Sequence, residues 1–595
     1  ELVRPMSEIN PQPNLLSVLD LTLTSMGARM LRNWITHPLL DVNRIQQRLD
    51  TVEALLEAGL DRDSLREQLK GIADLERMLS RLNCGQGNAR DLVSLKESLK
   101  RIPVIKQSLA GIEAELIKNI TTDLDELADV VELIDEVIVD EPPFLLREGG
   151  LIKTGYNKAL DELRAISSQG KGGIGKLQQQ ERERTGINSL KVGYNRVFGY
   201  YIEVTKANLN SVPEDYIRKQ TLVNAERFIT PDLKDYESQV LTAQEKIRQL
   251  EYSLFLKIKD AVTLQNRRIQ KTAVCLGCLD AVAGLAQTAA VNGYIKPEVD
   301  QSQVINIVDG RHPVLEKVIE GERFVPNDTL LDSEENQLLI ITGPNMAGKS
   351  TYLRQVALLV LMTQAGSFIP AKKARIGVVD RIFTRVGAQD ELARGRSTFM
   401  VEMNETANIL NNATNRSLIV LDEIGRGTST FDGVSIAWAV AEYIHNHPNL
   451  GAKTIFATHY HELTELELTL PGVKNYNVSV KEWDDKIIFL RKIIPGGTDK
   501  SYGIHVARLA GLPKEIIQRA KEILSTLEIA TLAADGKPKF AQGAKKLSKT
   551  DQDQLSFFSS EYHPVVDELR NMDMDNITPL DALNKLQELK KKSKD

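Results

Sequence analysis

The sequence predicts a mixed fold, α/β plus all-α: a long helical portion, a small β-rich insertion within it, and an α/β domain towards the C-terminus. Three observations predict it. Residues 1 to about 150 repeat Leu, Ile and Val at three- and four-residue spacing with mixed charge, as amphipathic helices do. From Ser189 the apolar period drops to two, as in strands. Residues 292 to about 500 alternate short apolar runs with helical stretches, the pattern of an α/β domain with a parallel sheet.

The α/β portion is organised around residues 338–361, LLIITGPNMAGKSTYLRQVALLVL. The run Leu338-Leu339-Ile340-Ile341 is short and β-branched enough for a buried strand. Gly343-Pro344-Asn345-Met346-Ala347-Gly348-Lys349-Ser350 fits G-x-x-x-x-G-K-[ST], and an amphipathic helix follows from Thr351. Glycines let backbone close around a phosphate with its amides inward, and a helix N-terminus adds partial positive charge. Lys349 is expected to reach the β- and γ-phosphates of a nucleotide, and the Ser350 hydroxyl to ligate Mg²⁺. Residues 343–351 together form the expected cradle.

A chain of 595 residues holds several domains. Its net charge of −6 means that no global basic field advertises nucleic acid, so any DNA contact must be local. No apolar run approaches 18 residues, and no membrane span is expected. The three cysteines make no disulfide framework, which suits a reducing cytosol. Cys275 and Cys278 form a lone C-x-x-C in a helical apolar pattern, better read as buried thiols than as a zinc or redox site.

In the helical portion, 45–58 and 92–109 are clear helical patterns, and Trp34 and His37 read as core and turn residues. A helix is expected from about Asn157 to Arg184, interrupted at Gly170–Gly175. The hairpin SLKVGYN, a turn near Asn195-Arg196, and GYYIEVT follow. Lys191, Arg196, Lys206, Arg218, Lys219 and Arg227 lie in and after it, with Tyr194, Phe198, Tyr200 and Tyr201. Such a module can grip a phosphate backbone. Interleaved Glu203, Glu214, Asp215 and Glu226 make a solvated charged surface the better reading on composition alone. Helical periodicity returns over 235–291, so one helix leads out to the module and another leads back. From about Gly536 the tail reads as a disordered linker.

Two further elements carry chemistry. The apolar run from Ser417 ends in Asp422-Glu423: Asp422 to hold Mg²⁺, Glu423 to polarise a water as general base. Thr454-Ile-Phe-Ala-Thr458-His459 ends another strand in a histidine placed to sense a γ-phosphate. His459 and His461 as a metal pair lack a third ligand.

These elements in this order resemble the DNA mismatch-repair ATPase family MutS, within the ABC ATPases. The matching stretches are TGPNMAGKSTYLRQ (342–355), FTRVGAQDEL (383–392), GRSTFMVEM (395–403), LDEIGRGTSTFDG (421–433), ATHYHEL (457–463) and SYGIHVARLAGLP (501–513). Upstream, 182–204 is similar to that family's DNA clamp and 23–35 to the start of its lever domain.

The resemblance implies a helical lever over 1–170 and 236–291, a clamp over 171–235 and an ABC-type ATPase domain with a mixed sheet over 292–500. A helix-turn-helix would span 501–532 and a flexible tail 533–595. It also implies paired ATPase sites in a homodimer, with Ser397 reaching the opposite γ-phosphate and Phe324 and Asn345 contacting nucleotide. ATP and Mg²⁺ are the implied cofactors. Double-stranded DNA and a MutL-type repair protein are the implied partners, in the bacterial cytoplasm at the nucleoid. It turns the basic residues of the insertion into DNA contacts. Gln554-Leu555-Ser556-Phe557-Phe558 resembles the Gln-Leu-x-Leu-Phe peptides that bacterial replication sliding clamps bind, and 579–592 is the segment expected to join dimers into tetramers. A family member normally begins with a mismatch-reading domain carrying a Phe-x-Glu wedge, and then a connector. Neither matches here, so a shortened chain without mismatch reading is expected, with a DNA-embracing recombination paralogue as the alternative.

Overall fold

The structure is a computed structural model that describes residues 2–3, 13–195, 199–319, 321, 323–344, 347–387, 398–483, 486–497 and 503–531. The chain divides into a unit Glu1–Ser525 and a unit Thr526–Asp595, the second described only where it completes the helix Lys514–Thr531.

In the first unit, helices between Leu15 and Val137 gather around the helix Asn266–Asn292. Small residues let its neighbours approach: Gly277 faces the Met26 backbone and Gly284 the backbone of Leu21 and Thr22. By length and composition this helix is apolar enough to cross a membrane, although interrupted by polar residues, but 72% of its most apolar stretch is buried inside the fold, as in a core helix. Its single acidic residue, Asp280, is fully buried and accepts from Leu23 N (3.0 Å), Thr24 N (2.7 Å) and Thr24 Oγ1 (2.7 Å). Thr24 is the N-cap of the helix Ser25–Thr36, so a carboxylate from one helix fixes the start of another. Cys275 and Cys278 lie on the same central helix, and burial pushes both thiols up.

Three helical expectations need correction. The pattern over 92–109 divides into Ala89–Leu99 and Ile102–Leu109, because Pro103 sits in the first turn of the second helix. The stretch 235–291 divides at Gln265 into Pro231–Leu264 and Asn266–Asn292. Lys158–Thr185 runs through 170–175 without a break. Each interior glycine costs about 1 kcal/mol, and lateral packing against Pro231–Leu264 offsets it. At the base of this pair of arms Glu251, 1% exposed, accepts from Arg164 Nη2 (2.6 Å) and from the amides of Gly150 and Leu151.

The arms carry four antiparallel strands, β1 (Lys191–Asn195), β2 (Gly199–Thr205), β3 (Ile217–Thr221) and β4 (Ala225–Ile229), in the order β1-β2-β4-β3. Their own small core holds Ile187, Leu190, Ile202, Val204, Tyr216, Phe228 and Leu233.

The α/β part holds two sheets. β5 (Glu298–Asp300), β6 (Ile305–Gly310), β7 (Asn327–Leu331) and β9 (Lys373–Gly377) form one, in the order β5-β9-β6-β7. The other contains β8 (Leu338–Thr342), β10 (Ile382–Arg385), β11 (Leu418–Asp422), β12 (Lys453–Ala457), β13 (Val473–Trp483) and β14 (Lys486–Pro495). Its order is β10-β11-β12-β8-β13-β14, parallel except for the antiparallel edge β14. The β13–β14 hairpin thus makes the sheet mixed, as the family resemblance implies for this domain. β8, β11 and β12 are buried along their whole length, as their unbroken apolar runs require of strands covered on both faces.

Replacing Asp280 tests the link between the central helix and its neighbour. Asp280→Ala leaves two amides and a hydroxyl without their acceptor, a loss on the order of 1–3 kcal/mol or more. Asp280→Asn keeps one oxygen and should lose less. Urea unfolding followed by circular dichroism should show the midpoint falling in that order, and an unchanged midpoint for Asp280→Ala contradicts the assignment.

Candidate nucleotide-binding site

β8 delivers the chain into the glycine loop at the centre of the six-stranded sheet. Gly343 (φ 138°) and Gly348 (φ 105°) hold left-handed backbone that side chains with a Cβ strain to adopt. A Cβ on Gly343 would also press within 3.3 Å of Val478. Ala347 is buried, and the helix Lys349–Ala365 starts directly from Gly348, with Thr351 in its first turn. Lys349 is 4% exposed and donates from Nζ to Gly343 O (2.6 Å) and Pro344 O (3.1 Å), so its ammonium lies inside the loop. Burial pushes its pKa down to about 8, against the opposing pull of Glu423 and Asp422.

Two strands away, β11 ends in Asp422, 8% exposed. Burial raises its pKa, and a hydrogen bond from the Ser350 side chain opposes that. Asp422 Oδ1 is buried and has no hydrogen-bond partner among the described residues. A hydroxyl beside a carboxylate with one orphaned oxygen is a hard-oxygen donor set, so the residues present fit Mg²⁺.

Glu423 follows in left-handed backbone (φ 59°), an uncommon conformation for a non-glycine residue, and its amide donates to Ala457 O at 2.9 Å. One carboxylate oxygen pairs with His459 Nε2 and the other with Arg426 Nη1. The His459 hydrogen bond, with the charges of His459, Arg426 and Lys349, holds its pKa at about 2 despite burial. Lys349, Ser350, Asp422, Glu423 and His459 thus gather at one end of β8, β11 and β12. Arg426 escaped the sequence reading. The signal was its position three residues after Glu423, but the facing geometry depends on the turn between them.

The other end of the helix Lys349–Ala365 is anchored in the helical body. Arg48 Nη1 donates to Ala365 O (2.9 Å) while its guanidinium stacks on Trp34 at 3.7 Å. Leu39 N donates to Gln364 O, and Gln364 Nε2 donates to Leu39 O, both at 2.9 Å. Trp34 is buried in the core, and His37 is the C-cap of Ser25–Thr36.

The remaining candidate residues are scattered. Phe324 is half-buried in the extended run before β7. That run is tied to β14 by Lys492 Nζ donating to Pro326 O (2.8 Å). Asn345, Met346, Ser397, Arg196, Gln554–Phe558 and 579–592 lie outside the described residues. In the β-insertion Lys191 is exposed and in register with Glu203, which pairs with Arg227 (3.0 Å). Arg218 lies 3.5 Å from Glu226, whereas Lys206 and Lys219 are exposed. Arg227 also stacks over Tyr201 at 4.1 Å. Among the described residues, Glu203 and Glu226 thus lie beside Lys191, Arg227 and Arg218.

A glycine loop between a central parallel strand and a helix N-terminus, with an acidic strand end beside it, defines the class: a P-loop α/β domain, here built onto a helical body with a long paired arm. Family models agree with both parts, MutS domain III matching residues 1–286 and MutS domain V residues 339–528. The chain is 56% identical over 597 residues to the DNA mismatch repair protein MutS of Ruminiclostridium cellulolyticum, covering 100% of this chain and 68% of that protein. Its counterpart in Halothermothrix orenii is 55% identical over 98% of this chain and 67% of the relative. That of Acetivibrio thermocellus is 53% identical over 100% and 68%. The chain belongs to the MutS family of DNA mismatch repair proteins.

The buried Lys349 ammonium predicts that any polyphosphate bound in this loop would bind pH-dependently. An anion favours the charged ammonium, so binding should take up a proton where Lys349 is partly neutral. Affinity should weaken as pH rises through about 8. Titration calorimetry of ADP at pH 7 and pH 9, in buffers of different ionisation enthalpy, reads both effects. Equal affinity with no proton uptake at either pH contradicts them.

Proposed function

We propose that the chain is a Mg²⁺-dependent ATPase that couples nucleotide turnover to its hold on double-stranded DNA during mismatch repair. The observation that carries this reading is the gathering of Lys349, the Ser350–Asp422 pair and the Glu423–His459 pair at one end of three parallel strands. Gly343, Pro344, Asn345, Met346, Ala347 and Gly348 wrap the phosphates, with the amides of Lys349, Ser350 and Thr351 at the positive end of the helix. The Lys349 ammonium exchanges its carbonyl partners for the β- and γ-phosphates. Ser350 and Asp422 hold Mg²⁺, which when bound neutralises phosphate charge.

Glu423 orients the attacking water. Its two oxygens pair with His459 and Arg426, which fix the carboxylate that polarises this water as general base. His459, paired with Glu423, is the residue assigned to sense whether the γ-phosphate is present. Phe324 stacks on adenine.

The further assignments rest on the family. Residues 171–235 form the DNA clamp, held on arms from 1–170 and 236–291, with contacts from Lys191, Arg196, Lys206, Arg218 and Lys219 to phosphates. The ATPase domain, 292–500, pairs with that of a second copy, so that Ser397 completes the partner's site, and the helices within 501–532 hold the dimer. A MutL-type protein is the repair partner. In the tail 533–595, Gln554–Phe558 docks on a replication sliding clamp and 579–592 joins dimers.

Glu423→Ala separates binding from turnover. The variant should bind ATP within about threefold of the parent, while kcat falls on the order of 10²-fold or more, the usual scale for losing a positioned acid–base group. Filter binding and phosphate release read the two quantities. Parent-level kcat in Glu423→Ala would falsify the role given to this residue.

A further inference from the structure

Gly425 lies two residues beyond Glu423 and its peptide groups are gripped from both sides. Its N–H donates to a carboxylate oxygen of Glu402, which is 5% exposed on the helix Thr398–Asn412. Its carbonyl accepts from Tyr460 Oη at 2.8 Å. Gly425 is itself left-handed (φ 87°), and a Cβ on it would meet Gly433 O at 2.5 Å. A Cβ on Gly433 would in turn meet Tyr460 Oη at 2.2 Å. The first turn of the helix Thr430–Asn446 is therefore seated directly on the Gly425 peptide, with no room for a side chain between. Glu402 is held from behind by Arg385, whose Nη2 lies 3.7 Å away and whose Nη1 donates to Gly387 O at 2.7 Å.

The placement of these bonds matters more than their number. The two partners of the Glu423 carboxylate come from different segments: Arg426 directly follows Gly425, and His459 directly precedes Tyr460. The Tyr460–Gly425 bond staples those two segments together one residue away from each partner. Glu423 also sits in strained backbone, which persists only where its surroundings over-determine it.

We infer that Tyr460 and Glu402 are positioning residues for Glu423, clamping the Gly425 peptide so that the carboxylate is held at a fixed place between His459 and Arg426. Among the described residues, neither side chain makes a hydrogen bond or ion pair to the candidate nucleotide cradle. The inference rests on the proposed ATPase role of Glu423, but the clamp is measurable without turnover.

Three variants of the full chain test it: Tyr460→Phe, which removes one hydroxyl; Glu402→Ala, which removes the acceptor; and Glu402→Gln, which restores a neutral one. Steady-state ATP turnover with Mg²⁺ should show kcat reduced about three- to tenfold in Tyr460→Phe, the value of one hydrogen bond. Glu402→Ala should lose more and Glu402→Gln recover most of it, with ATP Kd within about twofold of the parent throughout. Hydrogen exchange of residues 421–428 without nucleotide should quicken in Tyr460→Phe and Glu402→Ala and return towards parent in Glu402→Gln. Parent-level exchange in the first two variants overturns the clamp whatever the turnover shows. Faster exchange with unchanged kcat overturns the positioning role. A parent chain with no turnover at all overturns the ATPase reading instead, while exchange still decides the clamp.

Discussion

The helix Lys349–Ala365 is buried along almost its whole length, and its two ends are held by different parts of the chain. Its N-terminus closes the glycine loop. Its C-terminus is seated in the helical body by the Arg48–Ala365 bond and the paired Leu39–Gln364 bonds. A rigid rod fixed at both ends cannot shift at one without loading the other, because packed interiors respond as solids. Burial of Arg48 lowers its pKa, a desolvation cost accepted at a joint where the guanidinium stacks on Trp34 and caps a helix C-terminus at once. Sheet, loop and helical body are thus organised by a single element.

The same burial separates two adjacent carboxylates. Asp422 is desolvated with one oxygen orphaned, and its pKa rises. Glu423, one residue on, turns through left-handed backbone into the reach of His459 and Arg426, and its pKa falls to about 2. Opposite environments for neighbouring acids are how a site assigns them different tasks. Here the first suits a cation and the second an oriented water.

The sequence made the local features legible. The apolar run before Gly343, the glycines and the helix after them are decided within a few residues, and so are the strand ends at Asp422 and His459. The β-insertion was readable from its period of two, and its registers bear out the hairpin of β1 and β2. Features that depend on distant partners were not readable. Pro103 divides a pattern that periodicity alone joins, and the glycines at 170–175 stay helical because a second arm lies alongside. The hold of His459 on Glu423 requires knowing that β11 and β12 are neighbours, and the grip of Tyr460 on Gly425 spans 35 residues. The charges on the insertion illustrate the same limit: composition shows them mixed, while register shows which base faces which acid.

The central claim is that the loop 343–350, with Lys349 buried inside it, is where nucleotide binds. Equilibrium binding of ATP with Mg²⁺ to the parent chain and to Lys349→Ala tests it most directly. Loss of charge-assisted hydrogen bonds worth about 1.5–3 kcal/mol weakens binding on the order of 10- to 100-fold, with circular dichroism unchanged. Equal affinity in the two proteins would contradict the account.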